Sequence, residues 1–165
     1  MKTQTDTKEI LFHPEIGRKS IQAIENLNFR LQKVKMQNPE EGEGYSEEQT
    51  ALAEKEYKRF LILLELYPEK PIVPNKIMDT FWHYHILDTQ KYHNDCNKVF
   101  GGYLHHYPYF GLKGKEDAQN LESAFQETQR LYEFAFGEPM NKSEMSDASH
   151  CKRACVGYCK RACKS

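Results

Sequence analysis

The chain has 165 residues and a mass of 19.4 kDa, a length suited to one domain with tails. Lys and Arg (23) nearly balance Asp and Glu (24), and the pI is about 6.7, which removes any bulk electrostatic case for nucleic acid or an anionic membrane. Hydrophobic residues make up 39% and the mean hydropathy is -0.80, enough for a modest core, and no window reaches the roughly 18 apolar residues of a membrane span.

Residues 1–9 are polar, carry no apolar stretch of signal type and read as a disordered N-terminus, so a cytoplasmic, reducing location is expected. Ile21, Ile24, Leu27, Leu31 and Val34 recur at spacings of three and four, predicting one amphipathic helix over residues 15–36. An acidic Pro- and Gly-punctuated loop follows. Ser46 and Gln49 then form a capping box for a second helix, with Leu52, Tyr57, Phe60, Leu61, Leu63, Leu64 and Tyr67 on its apolar face. Pro68 and Pro71 end that helix and predict an extended connector to Pro74. A third helical block begins at Asn75, with Met78, Phe81, Trp82 and His85 on one stripe. Asp88 reads as a cap that restarts the helix at Thr89, and Gly101-Gly102 stops it. Residues 103–114 read as an aromatic loop, and residues 116–136 as a last helix ended by Gly137-Glu138-Pro139.

The expected fold is all-α: a compact four- to five-helix domain over residues 10–138, a linker at 139–150 and a flexible, basic, Cys-rich tail at 151–165. No Gly-rich phosphate loop, Ser-centred elbow or His-Glu-x-x-His run is present.

Residues 79–111 hold the densest chemistry. His83 and His85 are two apart, so on an unbroken helix their rings turn about 200° from each other and one metal cannot take both. Asp79 and His83, four apart, share a face, as a metal pair or as a carboxylate orienting a ring. A break at Asp88 and a return at Gly101-Gly102 would bring back His105 or His106. Asp79, His83 and one of these two would suit Zn or Fe(II) and leave coordination positions open. The candidate ligands are thus Asp79, His83, His85, His105 and His106. The competing reading is structural: histidines beside Trp and Tyr often sit in a core, and Cys96 reads as a small buried hydrophobe. A third reading is an organic-ligand or peptide pocket, with Trp82, Tyr92 and Tyr107 as contact residues and loop 103–110 as its lip, or as a lid packed on the helices.

The pattern Pro74, Asp79, Trp82-His83-Tyr84-His85, Asp88, Tyr92, Cys96 and Phe100-Gly101 resembles the glycine-rich-domain-containing-protein-like family. The run from His105 to Gly111 is similar to its bacterial branch. The resemblance implies a helical domain and no particular activity. The glycine-rich segment that names the family is absent, since nine glycines are scattered along the chain.

The tail repeats Cys-Lys-Arg-Ala-Cys identically at 151–155 and 159–163, with Val156-Gly157-Tyr158 between. Its five basic residues meet no acidic one, so the body of the chain is acidic. A spacing of four puts both thiols of a pair on one helix face. A turn at Gly157 would gather Cys151, Cys155, Cys159 and Cys163 as thiolates for Zn or Cu(I). A disulfide-closed helical hairpin, a modifiable peptide and a disordered partner-binding tail are the other readings. Three functions stay open: transition-metal binding, a non-enzymatic module for a protein or peptide partner, and an enzyme modifying a peptide, its own tail included.

Overall fold

The computed structural model describes residues 15–140 and 154–159. Six helices and two strands follow in order: α1 (Glu15–Glu25), α2 (Arg30–Gln37), α3 (Glu47–Leu66), α4 (Lys76–Leu87), α5 (Thr89–Phe100), β1 (Leu104–Phe110), α6 (Lys115–Phe136) and β2 (Ala154–Cys159). The expected disordered start, the linker beyond residue 140, Cys151 and Cys163 lie outside the described residues.

α3 is the central helix, and α1, α2, α4 and α6 pack around it. Ser46 and Gln49 form the capping box at its start, as their spacing predicts. Its buried face brings Tyr57 and Phe60 against Phe81 and Trp82 of α4, with ring centroids 5.2 and 5.1 Å apart. The predicted extended connector after α3 buries Ile72 and Val73. It is clamped to α6 because the Val73 N–H donates to Thr128 Oγ1 at 3.0 Å.

The first predicted helix is two. The chain leaves helical geometry at residues 26–29 and turns Phe29 into the core, where it meets Tyr57, Phe81 and His85 edge-on and is covered by the Lys58 and Lys91 ammoniums. This resets the phase of α2: Leu31 and Val34 are 62% and 55% exposed, while Gln32 and Met36 are buried. That break makes the count six among the described residues, rather than four to five.

The second departure is β1, expected as loop. It pairs antiparallel with β2, with Leu104 opposite Cys159, His105 opposite Tyr158, His106 opposite Gly157 and Tyr107 opposite Val156, then an irregularity before Phe110 opposite Ala154. The described part of the tail is therefore extended rather than helical. Spacing alone could not show this, because a period of four also returns to one face of a strand. Among the described residues no helix is long and apolar enough to cross a membrane.

Candidate metal centre

Two features bring distant side chains together. The first is the break at Asp88, whose side chain caps α5 by accepting from the Lys91 N–H. Ten residues of straight helix span about 15 Å. Here two pairs ten residues apart bond directly across the fold-back: Trp82 Nε1–H donates to the Tyr92 hydroxyl at 2.9 Å, and His85 Nε2 meets Asp95 Oδ2 at 2.9 Å. The second is Gly101, at φ 66°, which caps α5 in the left-handed region open to glycine and turns the chain back toward α4. The Tyr92 hydroxyl donates to the Leu104 carbonyl and so fixes the start of β1.

The result is a cluster of Asp79, His83 and His106, in which one ligand atom from each lies within 4.8 Å of those of the other two. Asp79 stands in the first turn of α4, His83 one turn later, and His106 comes from β1. The Asp79 carboxylate accepts from His106 Nε2 at 3.2 Å and lies 3.5 Å from His83 Nδ1. His83 Nδ1–H donates to the Asp79 backbone carbonyl at 2.7 Å, leaving Nε2 with its lone pair. The His83 nitrogen that faces the Asp79 carboxylate is thus the protonated one, so His83 would ligate through Nε2 or after releasing that bond. The His106 ring sits between Trp82 and His83, with centroid distances of 4.4 and 4.6 Å. Asp79 and His106 are mostly covered, at 15% and 12% side-chain exposure, whereas His83 is 49% exposed, so the cluster opens to solvent on the His83 side. Metal bonds of about 2.1 Å put tetrahedral ligand atoms about 3.4 Å apart, so an ion would draw these side chains in by roughly an ångström. The cluster can hold a metal ion.

His85 and His105, the other two ligand candidates, are not brought to this point. His85 is buried, with both ring nitrogens occupied: Nδ1 lies 2.9 Å from the Tyr57 hydroxyl and Nε2 faces Asp95. A neutral ring satisfies both contacts, accepting from Tyr57 and donating to Asp95. Burial lowers the His85 pKa, outweighing the opposing hydrogen bond that the ring donates to Asp95. Burial would raise the Asp95 pKa, but His85 and Lys91 hold it below its usual value. His105 is exposed beside Tyr103. Alternation along a strand separates it from His106, a distinction that adjacent histidines in a loop do not show. Trp82 and Tyr92, read as contact residues, are 0% and 1% exposed and belong to the core, as does Cys96; Tyr107 is half-buried on β1 under the Lys113 ammonium. Tyr57 reads in the sequence only as part of the apolar face of α3, and Asp95 carries no expectation there. The four-residue spacing of Lys91 and Asp95 was the one local hint.

A groove of about 510 Å³ lies apart from the cluster, lined by Leu52, Lys55, Glu56, Tyr132, Glu138, Pro139 and Met140. In it Tyr132 accepts from Arg59 Nη1 at 2.6 Å and donates to the buried Glu56 carboxylate at 2.9 Å. Burial raises the Glu56 pKa against these contacts.

Residues 18–142 match the family model described as UCP032817-like, a span that includes the whole cluster and stops short of β2. No curated protein and no solved structure matches the chain.

Proposed function

The chain belongs to the UCP032817-like family, and from that premise and the cluster geometry we propose that it binds a transition metal through Asp79, His83 and His106. Two imidazoles and one carboxylate suit Zn²⁺ or Fe²⁺ and leave positions for water or a further ligand. The observation that carries this reading is the convergence of three ligating side chains from α4 and β1, one of them orienting a ring through its own backbone carbonyl. In this reading residues 10–138 form a cytoplasmic domain, and the Trp-His-x-His pattern keeps its resemblance to the glycine-rich-domain-like proteins. The tail thiols suit Zn²⁺ or Cu(I) as a separate set.

The test is metal analysis of untagged protein together with melting of chelator-treated protein. Zn²⁺ at a hundred times its Kd adds about 2.7 kcal/mol, or about 5–11 °C in Tm for a chain of this size. His106→Ala and Asp79→Ala remove the rise. Metal-free protein whose melting ignores added Zn, Fe and Cu refutes the reading.

A second reading, an interaction module for an extended peptide, is favoured by the strand pairing on β1. The two readings are compatible, because β1 carries both the pairing edge and His106.

A further inference from the structure

The groove between α3 and the end of α6 holds polar groups that the metal centre does not use. Its volume of about 510 Å³ is that of a small-molecule site. At its floor stands Glu56, a carboxylate in a residue only 2% exposed. An ionised carboxylate offers about four lone-pair positions. Among the described residues Glu56 receives one donated proton, from the Tyr132 hydroxyl, which lies 2.9 and 3.0 Å from its two oxygens. The Arg59 guanidinium, at 3.8 Å, is beyond hydrogen-bond length. It bonds Tyr132 and Glu138 instead and lies over the Tyr132 and Phe136 rings. At the mouth Lys55 and Glu138 pair at 3.3 Å. The two cations are thus met by Glu138 and a hydroxyl, and Glu56 keeps spare acceptor capacity in a covered space. A buried carboxylate so poorly supplied is costly until a donor arrives.

We propose that this groove binds a small primary amine as its alkylammonium ion, with the charged head on Glu56 and the alkyl part against Leu52, Pro139 and Met140. An ammonium brings three donors and the opposite charge in one group, and hydrogen bonds between charged partners are the strong ones. A neutral alcohol brings one donor and no charge. A carboxylate ligand would face Glu56 itself and would have to displace Glu138 from Arg59 and Lys55. Binding is non-covalent, and it stands independently of the metal centre.

The test is an amide chemical-shift titration of the full chain with n-butylammonium, against 1-butanol as its neutral match and butyrate as its anionic one. Butylammonium should shift the amides of residues 52–56 and 132–140 with a Kd on the order of 1 mM, at least about tenfold tighter than either match. Glu56→Gln, which keeps the shape and still accepts from Tyr132, should weaken it at least about tenfold. The parent protein supplies a second readout that needs no variant. Glu56 faces Lys55 and Arg59 on its own helix, and Tyr132 and Glu138 from α6 and the segment after it. Arg59 and Lys55 hold Glu138 below its usual value, and burial holds Tyr132 above its own. Glu56, raised by burial, is then the carboxylate of the groove that titrates above pH 4.5, so affinity should rise as pH goes from about 4 to about 7. Equal binding of butanol, a flat pH profile or undiminished binding to Glu56→Gln overturns the proposal. Binding of Nα-acetyl-lysinamide at least about tenfold tighter than butylammonium would assign the groove to a lysine side chain of a peptide and overturn the free amine.

Discussion

His83 and His85 are two residues apart, one at the proposed metal centre and one in the core, and substituting each separates the two settings. His85→Ala leaves the Tyr57 hydroxyl, in a fully buried residue, without the ring nitrogen it meets at 2.9 Å, a loss of about 1–3 kcal/mol. Asp95 keeps Lys91 at 2.6 Å, so its charge stays paired. The vacated space, ringed by Phe29, Tyr57 and Tyr92, adds about 1 kcal/mol at about 24 cal/mol per Å³. The sum is about 3 kcal/mol, or a fall in Tm of about 6–12 °C. His83→Ala removes a half-exposed ring, so its stability should change by no more than about 0.5 kcal/mol. Zn²⁺ affinity should behave the other way. By calorimetric titration it falls about a hundredfold or more in His83→Ala and is unchanged in folded His85→Ala. His85→Gln, which keeps a donor toward Asp95, guards against failure to fold. A His85 variant that melts normally but loses Zn²⁺ would refute the assignment.

Tyr92→Phe strips a partner from both Trp82 Nε1–H and the Leu104 carbonyl, costing about 2–3 kcal/mol in urea melts and weakening Zn²⁺ binding through displacement of β1. A loss under about 0.5 kcal/mol would count against β1 being held this way. Gly111 has φ 87°, and a Cβ there would lie 2.6 Å from Leu121 Cδ2, so Gly111→Ala should cost about 1–2 kcal/mol, chiefly in backbone strain. Glu56, with its pKa raised above 4.5 by burial, binds its proton more tightly folded than unfolded. Its contribution is present below pH 4.5 and is lost as pH rises through the raised value. Tm curves from pH 4 upward should therefore diverge, with Glu56→Gln gaining on the parent protein; parallel curves would contradict the burial argument.

The features legible in the sequence are those made by neighbours along the chain. The Ser46 capping box, the Asp88 cap and the Gly101 stop are each set within four residues, and the last two supply the fold-back of α4 on α5 and the return of His106. The features that escaped depend on distant partners. Helical periodicity runs unbroken through Leu27 and Leu31, and only the aromatic pocket made by α3 and α4 draws Phe29 inward and splits the helix. β1 needs a partner more than forty residues away, and until it is a strand nothing separates His105 from His106. His85 read as a ligand because its partners, Tyr57 and Asp95, sit on two other helices.

The chain has one tryptophan, and Trp82 lies against the His106 ring. Its emission is therefore a built-in optical gauge of that ring. Any event that changes the charge on His106 or moves it should alter the intensity of a single fluorophore in the unlabelled protein, without interference from a second indole.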